Sequence, residues 1–135
     1  KLKLIEGGFL KNYLIDTYYG KKLKQNSNGR SGGTSNLYFE NGSISYDELL
    51  NSNKRNLYIT ETIGHGVNLV TGDYSVGATG FMVESGELTH PVSEITIAGN
   101  FKEIFKNITL ANDLEFKYST NAPTLLVEGL VVAGK

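Results

Sequence analysis

Hydrophobic and polar residues alternate along this chain in short runs, broken by glycine, asparagine and proline. That pattern predicts many strands and few helices. Residues 1–6 alternate Lys and Leu, Gly7-Gly8 signals a turn, and residues 9–15 read as the returning arm of a hairpin. Asp16 is placed to cap a short helix through Tyr18, Tyr19 and Leu23. Residues 25–35 hold no apolar residue and read as a linker or a functional loop. Residues 37–40 form a short strand. Ser45 with Glu48 matches a capping box, and Leu49 and Leu50 give the helix behind it a buried side. Residues 57–60 and 74–84 read as strands, the second with Gly77 and Gly80 marking a bulge or a close backbone contact. Residues 84–87 suit a two-residue hairpin turn, from which residues 88–92 return with Pro91 at a sheet edge, and residues 94–98 form a further strand. Phe101, Ile104, Phe105 and Ile108 keep the spacing of one helix face, with Asn100 as cap and Glu103 completing a box. Residues 114–118 and 125–132 read as closing strands. The fold class expected is α+β, mainly antiparallel β with about three short helices, in one domain over residues 1–135.

The stretch from Gly64 to Gly80 stands apart. Five of the 16 glycines fall there, beside Asn68, Thr71, Asp73, Ser75 and Thr79. Glycine supplies positive φ or room for a close neighbour, and the polar residues bond their own backbone readily. The stretch therefore reads as a tightly prescribed loop feeding a strand.

Composition removes several functions. With 13 basic and 14 acidic residues the formal net charge is −1, which argues against a nucleic-acid binder driven by phosphate neutralisation. The chain has no Cys, so disulfides, thiol nucleophiles and thiolate metal sites are excluded. No apolar run reaches the roughly 18 residues that a membrane-spanning helix needs, and a cytoplasmic location is expected. The start at Lys1, without a Met, reads as a piece of a longer or processed protein.

Candidate chemistry is thin. His65 and His90 lack the i, i+4 spacing of a helical zinc pair, and both read as structural or solvent-facing. Gly64-x-Gly66 meets Leu69 where a dinucleotide fingerprint needs glycine, and no Gly-Lys-Ser/Thr closes a phosphate loop. Asp73, Ser75 and His65 lack the G-x-S-x-G elbow of a hydrolase triad. Glu84 and Glu87 flank a hairpin turn, Lys21, Lys22 and Lys24 sit at the negative end of a helix, and Arg30 lies in an exposed loop. The residues alone support no catalytic site.

Two blocks point to a family. Thr60-Glu61-Thr62-Ile63-Gly64-His65-Gly66-Val67-Asn68 followed by Thr71-Gly72-Asp73-Tyr74-Ser75-Val76-Gly77-Ala78-Thr79-Gly80-Phe81, and Pro91-Val92-Ser93-Glu94-Ile95-Thr96-Ile97-Ala98-Gly99-Asn100, closely resemble the C-terminal region of the TldD/PmbA (TldE) family. The resemblance runs through almost the whole chain and implies the C-terminal portion of that fold. It implies membership of a zinc metalloprotease whose TldD-type subunit binds the metal through H-E-x-x-x-H and a Cys, and whose PmbA-type subunit lacks those ligands. The Cys would fall near Asn121 and Pro123, where none is present, so the PmbA type is favoured. No metal ligand is then expected in this piece; the zinc belongs to the TldD-type subunit. Implied partners are a TldD-type subunit in a heterodimer, or a second copy in a homodimer, together with unfolded peptides; neither membrane nor direct nucleic-acid contact is expected. Asn68, Thr71, Asp73, Ser75 and Gly77 are the candidate peptide contacts, though the polar ones serve equally well to satisfy the loop's own backbone. The alternatives are the tail of a TldD-type catalytic subunit and, following an older family name, a binding protein that modulates gyrase.

Overall fold

A computed structural model describes residues 1–134. Strands β1 (Ile5–Glu6) and β2 (Phe9–Leu10) pair antiparallel across Gly7 and Gly8, both at positive φ. The expected arms of residues 1–6 and 9–15 are thus far shorter. Beyond Lys11, whose N–H donates to Leu4 O at 2.7 Å, the chain takes different partners. Asn28 Oδ1 accepts from Ile15 N at 3.1 Å and its Nδ2 donates to Tyr13 O at 2.6 Å. One residue of the polar 25–35 stretch therefore does the work of a strand.

Helix α1 (Thr17–Leu23) begins as predicted, with Asp16 Oδ1 accepting from Tyr19 N at 2.8 Å, and ends on Lys24 in the left-handed region. Strand β3 (Leu37–Tyr38) is two residues long. Helix α2 (Tyr46–Leu50) carries the complete Ser45–Glu48 capping box. Strands β4 (Arg55–Ile63), β5 (Asp73–Glu84) and β6 (Glu87–Asn100) then run up and down as an antiparallel meander. Ser85 and Gly86, at φ 52° and 81°, make the tight turn between the last two, as the sequence pattern requires.

Strand β6 joins two segments that the sequence separates. Two residues, Ser93 and Glu94, oppose Thr79 between the pairs Gly80↔Val92 and Ala78↔Ile95. Glu94 takes φ 55°, so this bulge absorbs the extra residue and the strand continues. Pro91 lies opposite Phe81, in the part of β6 beyond its later partner's reach, where a missing N–H costs no pairing. Gly80 marks a close contact: a Cβ there would lie 1.9 Å from Tyr58 O. Gly77 does not, since its nearest neighbour would be Ile63 Cβ at 3.6 Å.

Helix α3 (Phe101–Ile104) is shorter than its apolar spacing predicts. Asn107 ends it, its side chain donating to Glu103 O at 2.9 Å and its N–H to Ile104 O at 3.0 Å. Asn100 caps the start, but Glu103 pairs with Lys106 instead of closing a box. Ile108 enters strand β7 (Ile108–Leu110). Residues 114–118 form no strand. Asn121, itself buried, accepts from Lys117 N and Tyr118 N at 2.8 and 3.0 Å and holds this segment as a turn. Strand β8 (Thr120–Asn121) pairs parallel with β3. The expected closing strand is two, β9 (Leu125–Val127) on β7 and β10 (Val131–Ala133) on β6, separated at Gly129 with φ 82°.

The architecture is mainly antiparallel β with three short helices among the described residues. The largest sheet has the order β10-β6-β5-β4. Val76, Ala78, Ile95 and Ile97 form its buried face, covered in part by Leu57, Ile59, Tyr74 and Val92. Among the described residues no helix is long and apolar enough to cross a membrane.

Candidate functional site

The glycine-rich stretch, read from sequence as a loop, is the end of a β-hairpin. Past Ile63 the chain jogs at Gly64 and His65 and then rejoins β5. Ser75 N donates to Gly66 O at 2.8 Å, Val67 bridges Tyr74, and Asn68 N donates to Asp73 O at 2.8 Å. A side chain at Gly66 would collide with Ser75 O at 1.9 Å, so glycine is needed for this pairing. Residues 69–72 turn the corner, closed by Gly72 N on Asn68 O at 2.8 Å, and Gly72 supplies the φ of 82° that the corner needs.

The candidate side chains occupy themselves with this corner. Asn68 Oδ1 accepts from Val70 N at 2.9 Å and Thr71 N at 3.2 Å. Thr71 Oγ1 donates to Asp73 Oδ2 at 2.6 Å. Asn100 does more than cap a helix: its Nδ2 also donates to Asp73 Oδ1 at 2.9 Å and to Thr71 O at 3.1 Å. Phe101 N donates to Gly72 O at 2.8 Å, and the Phe101 ring packs on Tyr74 with centroids 5.3 Å apart. The hairpin end is therefore fastened to the start of α3. The Thr71 hydroxyl, and after it the Asn100 amide, hold the Asp73 carboxyl below its ordinary range, because both donate to the charged form.

Asn68, Thr71 and Asp73 are thus brought together, whereas Ser75 and Gly77 lie further along β5 and form no part of this cluster. Ser75 is exposed. Among the described residues no hydrogen bond joins the side chains of Asp73, His65 and Ser75, and His65 is exposed. His90 is exposed too, its Nδ1 lying 3.2 Å from Thr89 Oγ1. Among the described residues no three His, Cys, Asp or Glu side chains converge as metal ligands.

Two residues at the corner were missed. Leu69 and Val70 are 92% and 94% exposed, projecting from a backbone held on both sides. Val67, which bridges Tyr74, is 43% exposed, and Ile63, at the end of β4 opposite Gly77, is 62% exposed. Their signal in the sequence is two adjacent aliphatic residues between Asn68 and Thr71, where turn chemistry calls for polar ones. Strand β4, on the same hairpin, is the outermost strand of its sheet, so its outer edge has no strand partner among the described residues.

Residues 1–134 match the family model described as the PmbA/TldA metallopeptidase C-terminal domain. The chain therefore belongs to the PmbA/TldD family of metallopeptidases. Over 133 residues it is 40% identical to the metalloprotease PmbA of Escherichia coli O157:H7, covering 98% of this chain and 30% of that protein. The zinc metalloprotease TldD homolog of Saccharolobus solfataricus is 31% identical over 111 residues, covering 74% of this chain and 25% of that protein. A crystal structure from Thermotoga maritima, of a protein named as a proposed modulator of a DNA gyrase, superposes with a TM-score of 0.84 at 39% identity. That match covers 96% of this chain and 32% of the other. The chain thus spans about 30% of the length of its PmbA relative.

Proposed function

We propose that this chain is the C-terminal part of a PmbA-type (TldE-type) subunit of a cytoplasmic zinc metalloprotease complex that processes unfolded peptides. In this reading it shapes the peptide channel and the contact with a TldD-type partner or a second copy. The zinc would sit in the TldD-type subunit, where it would polarise the peptide carbonyl and activate water. The supporting observation is the hairpin: among the described residues the outer edge of β4 has no strand partner, and the strand on its other side is glycine-rich. An unfolded peptide carries unpaired backbone N–H and C=O groups, and an open edge takes them with little regard to sequence. The PmbA type is favoured over the TldD-type tail by the stronger and more complete match to the PmbA relative and by the absence of Cys.

The test is peptide cleavage and zinc content of the longer parent protein, alone and with a TldD-type partner. A parent without zinc, inactive alone and active in the pair, supports the reading. Zinc and cleavage by the parent alone would assign the chain to a catalytic subunit. Substitution of Asn68 and Asp73 should slow cleavage by the pair, and unchanged cleavage at unchanged stability would remove the channel role.

A further inference from the structure

We infer that Asn28 is a self-modifying site, where the backbone nitrogen of Gly29 attacks the side-chain amide and converts it to aspartate or isoaspartate with loss of ammonia. The reacting atoms are neighbours in the chain and the one co-reactant is water, so no ligand or partner is required. Glycine after asparagine favours this reaction, because no side chain hinders the turn that brings its nitrogen to the amide carbon. The sequence holds two such pairs, Asn28-Gly29 and Asn41-Gly42, and the fold treats them differently.

At Asn41-Gly42 the nucleophile is locked. Gly42 N donates to Ala111 O at 2.8 Å, and a Cβ on Gly42 would lie 1.7 Å from Leu110 O. The bridge Ile44↔Ala111 holds the same two segments together. Attack requires the nitrogen to lose its proton and swing towards the side chain, which here would first break backbone pairing. At Asn28-Gly29 the nucleophile is not paired with backbone. Gly29 N donates to Ser27 Oγ at 3.2 Å, and Gly29 is exposed, with no atom beyond its chain neighbours within 4 Å of the place a Cβ would take.

The electrophile is prepared as well. Asn28 Oδ1 accepts from Ile15 N at 3.1 Å and from Arg30 N at 3.2 Å. As Gly29 N adds to Cγ, this oxygen gains negative charge, and two N–H groups already aimed at it stabilise that charge. Asn41 Oδ1 accepts from Leu114 N at 2.9 Å, one donor among the described residues. The N–Cγ bond forms as Gly29 N gives its proton to solvent. The Cγ–Nδ2 bond breaks, and ammonia leaves with the bonding pair and a proton from solvent. Water then opens the cyclic imide, giving aspartate if it adds at Cγ and isoaspartate if it adds at the backbone carbonyl. The product unfastens what Asn28 holds. A carboxylate cannot donate to Tyr13 O, where Nδ2 now donates at 2.6 Å, and the two oxygens repel. The carboxylate turns away, and the tie between the polar loop and the segment ahead of α1 weakens.

The experiment incubates the longer parent protein in mildly alkaline buffer, native and unfolded in urea, and follows amide-to-acid conversion at each asparagine by peptide mass spectrometry. In the native protein Asn28 should convert about tenfold faster than Asn41 or more. In urea the two should convert at similar rates, since the pairs differ through the fold and not through their glycines. Equal native rates, a faster Asn41, or the same ratio in urea as in the native protein would overturn the inference. The variant Asn28→Asp supplies the product directly. Hydrogen exchange at Ile15 and Arg30 should be up to about tenfold faster in it, the effect of one weakened hydrogen bond. Unchanged exchange there would overturn the unfastening.

Discussion

Asn100 Nδ2 donates to Asp73 Oδ1 at 2.9 Å, linking the last residue of β6 to the first of β5 while Asn100 Oδ1 caps α3 through Lys102 N at 3.0 Å. One side chain thus joins a hairpin corner, a strand pair and a helix start.

Asn100→Ala removes these two bonds and the one to Thr71 O. The lost cap alone costs about 1 kcal/mol, which lowers the melting temperature by roughly 3–6 °C for a domain of this size. Asn100→Asp should not rescue it at neutral pH. Aspartate caps as well as asparagine, but it would bring a second carboxylate against Asp73. Scanning calorimetry should find the Asp variant recovering relative to the Ala variant as pH falls towards 4.

The carboxyl of Asp73 should titrate below the ordinary aspartate value of about 3.9, with Thr71 as the first cause. A depressed folded pKa means that its stabilising contribution is complete above the unfolded value and fades as pH falls through the lower folded one. Asp113, held low chiefly by Thr124, and Glu48, held low chiefly by the Ser45 N–H, add in the same direction. Carbon-detected NMR titration should show Asp73 moving up towards its ordinary value in Thr71→Val. An Asp73 unmoved by that substitution would disprove the assigned cause.

Two glycines on β5 should answer alanine in opposite ways. Gly80→Ala places a Cβ 1.9 Å from Tyr58 O and forces β4 and β5 apart, at a cost of about 3 kcal/mol or more. Gly77→Ala meets ordinary contact at 3.6 Å and should be neutral or stabilise by up to ~1 kcal/mol, since alanine loses less entropy in a strand. Urea denaturation of the pair decides it, and similar midpoints would show that the close contact at Gly80 relaxes.

Asn121→Ala should be among the costlier polar truncations. The side chain is 7% exposed, accepts from two backbone N–H groups and donates to Tyr118 O at 2.6 Å. Removing it strands partly buried groups, at about 1–3 kcal/mol. Hydrogen exchange should speed up at Lys117 and Tyr118 while β5 stays protected.

Local chemistry was legible where neighbours in sequence are also partners in space. The Asp16 and Ser45 caps and the Ser85-Gly86 turn all follow from residues within three positions of one another. The end of α3 was not. Ile108 continues the apolar spacing, and only the pairing of β7 with β9 shows why it leaves the helix. The glycine-rich block was legible as important and misread in shape, because the jog at Gly64 and His65 hides the return of residues 66–68 to β5. Asn100 could be read as a cap from its own neighbourhood, but its bond to Asp73 spans a long excursion of chain. Leu69 and Val70 break the turn pattern, and that break was the one trace of the corner's apolar character.

The meander has a consequence for the order in which the molecule assembles. Strands β5 and β6 each follow a partner directly in the chain, so most of the main sheet can zip from local contacts at low loop-closure cost. The parallel pair Leu37↔Thr120 joins opposite ends of the sequence and must close a long loop first. In pulse-labelled refolding, amides of Val76 and Ala78 should gain protection before those of Tyr38 and Asn121. The hairpin that carries the Leu69–Val70 corner would then be formed before β3 and β8 meet.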